Sequence, residues 1–121
     1  MRKLSMLLLM VLVLSLVAAC GSSQPAPAAG GGDATAGKKV FGEVAAPPCS
    51  GCHSVAAGKK LAGPSLAGIG AQGEEALHQS IVDPNAKITA GFSADIMPGN
   101  YGSQLSDQQL KDLIAYLITL K

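Results

Sequence analysis

The chain is short of the side chains that usually build a core. It has no Trp, two Phe and two Tyr among 121 residues, against 15 Gly. A chain of this length holds one small domain, and small domains bury proportionally little surface. The scarcity of rings argues against a core made of protein alone and points to a cofactor, metal or disulfide framework at the centre. Charge is sparse too: 14% of residues are Asp, Glu, Lys or Arg, and the formal net charge is +1. The lysines beyond Lys3 are scattered or paired without interleaved aromatics, so no nucleic-acid partner is expected. No segment alternates apolar and polar residues convincingly enough for a strand, and no stretch repeats. What remains is an all-α reading, a few helices joined by Gly-rich and Pro-rich loops.

What is present begins with a leader. "MRKLSMLLLMVLVLSLVAAC" opens on Arg2 and Lys3, runs apolar from Met6 to Val17 except at Ser15, and closes on small residues. That is the pattern of a secretory signal. The competing reading is an uncleaved membrane helix, but the apolar run from Leu4 to Ala19 is shorter than the roughly 20 residues that span a bilayer comfortably. Val17-Ala18-Ala19-Cys20 resembles a bacterial lipobox, which implies cleavage before Cys20 and lipidation of its thiol; the alternative is an ordinary signal peptide followed by a stray cysteine. The stretch "GSSQPAPAAGGGDATA" that follows has almost nothing to bury and reads as a flexible tether. The expected organisation is therefore a signal peptide over 1–19, a lipidated Cys20 and tether over 20–36, and a folded domain over 37–121.

Within the domain the last segment carries the clearest pattern. Ser106 and Gln109 have the spacing of a capping box, Leu105 and Leu110 occupy the staple positions, and Leu110, Leu113, Ile114, Leu117 and Ile118 recur at helical spacing. This predicts a helix from Asp107 to about Leu120. Val40, Phe41 and Val44 predict a first helix that starts near Thr35 and is stopped by Pro47-Pro48. "EEALHQSIV" predicts a short helix ahead of Asp83-Pro84, with acidic residues in its first turn.

The chemistry is concentrated in "PPCSGCHSV". Cys49, Cys52 and His53 form C-x-x-C-H, the signature of covalent haem attachment, in which two thiols add to the macrocycle's vinyl groups and the adjacent histidine meets the iron. Three other readings compete. A redox or structural disulfide would need a βαβ context that is missing here. Zinc would need Cys49, Cys52, His53 and His78 together, although adjacent Cys52 and His53 can hardly both reach one tetrahedral ion. A merely structural His53 would leave the thin core unexplained. A covalent haem c, by contrast, is itself a large apolar disc around which short helices and loops can collapse.

The sixth iron position distinguishes a carrier from a sensor or enzyme. Met1, Met6 and Met10 lie in the leader, so Met97, in the loop "SADIMPGNYG", is the methionine left to fill it. His78 is the rival, mid-helix and one turn from Glu74 and Glu75, where a solvated side chain is the better reading.

With these residues in place the chain, from Gly37 to the C-terminus, resembles a class I cytochrome c: a first helix, "CSGCH", "GPSL", a middle helix, "MP", and a last helix containing "LIAYL". The resemblance implies a small all-α fold of three to four helices and long loops around one haem. It implies thioethers at Cys49 and Cys52, iron ligands His53 and Met97, and a hydrogen bond from the other His53 nitrogen to the Pro64 carbonyl. It also implies that Gly37 and Phe41 pack on Tyr116. "SIVDPNAKITAGF" followed by "MP" further resembles the cytochrome c domain fused to some haem-copper oxidase second subunits.

The expected function is that of a membrane-tethered one-electron carrier without a small-molecule substrate, not an enzyme, on the extracytoplasmic face of a bacterial membrane. Its expected partners are redox proteins, donor and acceptor, such as a terminal oxidase or a quinol-oxidising complex. Lys38, Lys39, Lys59, Lys60 and Lys87 are candidates for steering one of them, against the plainer reading of solvated side chains. Two alternatives stand beside this: a five-coordinate haem sensor or small-ligand enzyme, and a fixed haem subunit of a larger complex.

Overall fold

The computed structural model of the protein describes residues 30–121. The expected signal peptide, Cys20 and the first part of the tether lie outside the described residues. Helix α1, Ala34–Lys39, runs on directly into a π-helical turn, Val40–Val44. A single turn, α2, spans Cys49–Cys52. A 3-10 turn at Ile69–Gln72 leads into α3, Glu74–Val82. A second single turn, α4, covers Tyr101–Gln104, and α5 covers Asp107–Thr119. There is no strand among the described residues.

Among the described residues the fold is all-α as expected, with five α-helices where three to four were expected. The two extra ones are single turns, too short to produce a helical period in the sequence. Residues 30–36, read from composition as the end of the tether, carry the cap and first turn of α1. Asp33 is the N-cap, its Oδ1 accepting from the amides of Thr35 at 2.7 Å and Ala36 at 3.3 Å.

α5 is the backbone of the domain. Its capping box forms as its spacing predicts: the Ser106 hydroxyl accepts from the Gln109 amide at 3.2 Å, and Gln109 Oε1 accepts from the Ser106 amide at 2.8 Å. Leu110, Leu113, Ile114 and Leu117 then bury one face against Val40, Phe41, Leu77, Ile81 and Leu105. α1 crosses α5 at very close range. A Cβ at Gly37 would collide with the carbonyl oxygen of Asp112, so only glycine allows the two backbones to approach this closely. One turn on, the rings of Phe41 and Tyr116 meet at 5.5 Å in a tilted arrangement.

A polar tie backs this crossing. Asp112 is buried, and its Oδ1 accepts from the Asp33 amide at 2.7 Å and from Gln108 Nε2 at 2.8 Å. The carboxylate therefore lies against the N-terminal end of α1, where the helix dipole favours negative charge.

Candidate haem site

The π-helical turn that follows α1, together with α3 and α5, leaves a cleft that protein atoms do not fill. Its free volume is about 210 Å3, and its walls include Phe41, Leu77, Ile81, Leu113 and Leu117 from the helices. This is the gap in the core that the shortage of aromatic residues foretold.

Cys49, Cys52, His53, Pro64 and Met97 all line that one cleft, although the chain between His53 and Met97 includes all of α3. Pro47 and Pro48 end the first helical run, and Pro48 caps α2. The single turn of α2 puts Cys49 and Cys52 three residues apart, on neighbouring positions of one face. The His53 amide closes the turn by donating to the Cys49 carbonyl at 2.9 Å, and His53 itself is extended, with φ −119° and ψ 137°. The two cysteines are not joined in a disulfide and both are half-buried. Burial pushes the Cys49 thiol above its ordinary value, a main-chain hydrogen bond opposes the rise, and neighbouring Cys52 adds to it. Cys49 is thus held as a neutral thiol rather than a thiolate.

The His53 ring is held from behind. Its Nδ1 lies 2.9 Å from the Pro64 carbonyl oxygen. A carbonyl only accepts, so Nδ1 carries the hydrogen and Nε2 keeps its lone pair for a metal. The loop that delivers Pro64 is itself tied to the attachment segment: the Gly63 amide donates to the Cys52 carbonyl and the Leu66 amide to the Ser54 carbonyl, each at 2.8 Å. Gly63 is buried flat against the imidazole, where a Cβ would come to 2.5 Å from His53 Cε1. In the sequence Gly63 stood out only as part of "GPSL", with no role of its own, because its closeness to His53 is set by how the loop folds back rather than by spacing.

α4 holds the other end of the attachment segment. The Tyr101 hydroxyl donates to the Pro47 carbonyl at 2.8 Å. Gln104 pairs with the backbone of Ala46 in both directions, Nε2 to the carbonyl at 2.6 Å and Oε1 from the amide at 2.7 Å. Both residues had passed unremarked in the sequence. Met97, a few residues before α4, is half-buried against the core.

His78 is exposed on α3 and takes no part in the cleft. The four nominal zinc ligands are therefore not gathered, and no group of three or more His, Cys, Asp or Glu among the described residues is placed to hold a metal ion.

The donors suit a haem. Two thiols on one turn, an imidazole with its outer nitrogen already hydrogen-bonded, a thioether, and an apolar cleft are the groups that such a cofactor requires. No curated protein matches the chain. The family model for cytochrome c, described simply as Cytochrome c, matches residues 34–121. That match starts at the first residue of α1 and runs to the end of the chain, so it takes in the whole cleft: the chain belongs to the cytochrome c family, whose haem c is bound covalently through a cysteine pair, here Cys49 and Cys52, and serves electron transfer.

Proposed function

We propose that this cytochrome c is a one-electron carrier with His53 and Met97 as axial ligands, tethered through Cys20 to the extracytoplasmic face of a bacterial membrane. The observation that carries the ligand reading is that His53 and Met97 share one apolar cleft with both cysteines, while Pro64 takes up the outer nitrogen of His53. The haem supplies the one-electron couple. The protein keeps the surroundings apolar and the donor atoms neutral, which favours the less charged, reduced state and raises the potential. Gly63, Pro64 and the α4 contacts keep His53 and the attachment turn in one orientation. A site held the same way in both oxidation states has little to rearrange when an electron arrives.

The enzyme or sensor reading finds less support in the residues. The only Arg in the chain is Arg2, and among the described residues the cleft contains no His besides His53. Apart from the attachment cysteines and His53, the titratable side chains that line the cleft are Lys87 and Tyr101, and the Tyr101 hydroxyl is already committed to the Pro47 carbonyl, which is a thin set for oxygen or peroxide chemistry.

The tether reading draws on the lipobox-like Val17-Ala18-Ala19-Cys20. Domains of this family are usually extracytoplasmic, and no helix among the described residues is long and apolar enough to cross a membrane. A lipid on Cys20 would then be what keeps the domain at the surface. The redox partners we propose are a donor and an acceptor protein of a membrane respiratory or photosynthetic chain, such as a quinol-oxidising complex and a terminal oxidase.

The visible spectrum of holoprotein, oxidised and reduced, with and without carbon monoxide, tests the ligand reading. We expect a low-spin haem indifferent to carbon monoxide in the native chain, and a high-spin one that binds it in Met97→Ala. A native protein that is high-spin and binds carbon monoxide rapidly would instead establish the sensor or enzyme class. Membrane fractionation of Cys20→Ser beside the native chain tests the anchor: release of the variant into the soluble fraction is expected, and equal retention would overturn it.

A further inference from the structure

The segment between α3 and α4 is the longest stretch without regular structure in the latter half of the domain, and it supplies Met97. Its backbone is secured by short turns only: the Ala86 amide donates to the Asp83 carbonyl and the Phe92 amide to the Thr89 carbonyl, each at 3.1 Å. Among the hydrogen bonds of the described residues, one pair spans the loop. Asn85 Nδ2 donates to Asp95 Oδ1 at 2.7 Å, and the Asp95 amide donates back to Asn85 Oδ1 at 3.0 Å. Asp95 is also the one residue other than glycine, among those described, with a left-handed backbone, at φ 63°. Asp and Asn tolerate that conformation better than other non-glycine residues. The chain therefore reverses at Asp95 and leads through Ile96 into Met97.

We propose that Asn85 and Asp95 form a clasp that closes this loop at its neck and holds Met97 in the cleft, making both positioning residues for the distal side of the haem. The proposal rests on the reading of Met97 as the axial ligand. Both residues are exposed. A reciprocal pair at the surface adds little to the stability of the whole domain, so its effect should be local. Without it, the segment carrying Met97 is anchored only by its own short turns and by apolar contact. Met97 would then leave the iron more often, and an added ligand would capture the position more readily.

Imidazole is the probe, titrated into ferric holoprotein and followed by the visible spectrum. Asn85→Ala removes the donor. Asp95→Gly keeps a residue suited to the left-handed backbone while removing the carboxylate. Both should bind imidazole about tenfold more tightly than the native protein, the scale of one or two net hydrogen bonds, with little change in melting temperature. Asp95→Asn retains an acceptor oxygen and a residue tolerant of positive φ, and should behave as the native chain does. Unchanged imidazole affinity in Asn85→Ala and Asp95→Gly would overturn the clasp, as would Asp95→Asn loosening the site equally. Met97→Ala separates the two ideas: if it leaves the spectrum of the native protein unaltered, the ligand assignment itself falls, whatever the clasp variants do.

Discussion

The phenol of Tyr101 reaches back across the domain to the carbonyl of Pro47, 54 positions earlier in the chain, with an O···O distance of 2.8 Å. Beside it, the amide of Gln104 takes both backbone groups of Ala46. α4 is a single turn with no side-chain cap of its own, yet it fixes the approach to Cys49 from a segment that directly follows Met97. The covalent side and the methionine side of the cleft thus share a physical link that is independent of the haem.

Tyr101→Phe should therefore cost about 1 kcal/mol at neutral pH, the net value of a single hydrogen bond, because the Pro47 carbonyl loses its donor. Burial pushes the Tyr101 phenol above its ordinary value of 10.0, and negative charge on Cys49 and Cys52, where they are free and ionised, adds to the rise. The folded state thus holds the phenolic proton more tightly than the unfolded one. The resulting stabilisation is full below about pH 10 and is lost as the pH climbs through the folded-state value. Chemical denaturation of holoprotein between about pH 9 and 11 should show a fall in stability that is shallower in Tyr101→Phe. Identical slopes would mean that Tyr101 does not contribute to it.

Gly37→Ala should be among the most damaging single changes in the domain. The new methyl would overlap the Asp112 carbonyl, which is backbone and cannot turn aside. We expect a loss on the order of 3 kcal/mol, seen as a lower denaturation midpoint without a change in the absorption of the native state. A variant as stable as the native protein would show that α1 and α5 can separate at little cost.

Gly63→Ala should act on the haem more than on stability. The added Cβ would press on the His53 ring at Cε1 and Nδ1, at 2.5 and 2.8 Å, and so disturb the hydrogen bond to Pro64. A rise in high-spin character and a shifted midpoint potential are expected, read by visible spectroscopy and redox titration. An unaltered spectrum would mean that the loop yields and the ring does not.

Asp112→Ala should unfasten the start of α1. Two donors, the Asp33 amide and Gln108 Nε2, would lose their shared carboxylate acceptor. A cost of about 2 kcal/mol is expected, with faster amide exchange in the first turn of α1. Exchange unchanged at Ala34–Ala36 would argue that the cap of Asp33 suffices alone.

How much of this could be foreseen follows the range of the interactions. α5 was legible nearly to the residue, because a capping box and an apolar stripe are written within a few turns of each other. The attachment turn was legible because Cys49, Cys52 and His53 are contiguous, and the unfilled cleft was foreshadowed by the missing rings. α2 and α4 were not, since one turn has no period to detect. The roles of Gly63, Gln104 and Asp95 depend on partners far along the chain or on a backbone angle, and composition carries neither. The start of the domain was misjudged for a related reason. Gly32 and Asp33 sit in a run that looks like linker, yet Gly32 is buried against the Lys111 main chain and Asp33 bonds to Asp112.

The crossing of α1 and α5 also has a bearing on how the domain is assembled. Its first and last helices are mutual partners, so the largest contact in the fold cannot form until α5 has been synthesised, and closing so long a loop is slow compared with forming a single turn. The two thiols of α2, by contrast, are only three positions apart, so they are near one another in the chain without any such closure. There is accordingly an interval in every molecule's life when both thiols have been made while the walls of the cleft have yet to close. An attachment machinery that must reach both sulfurs has that interval in which to work, and the last helix, by arriving, ends it.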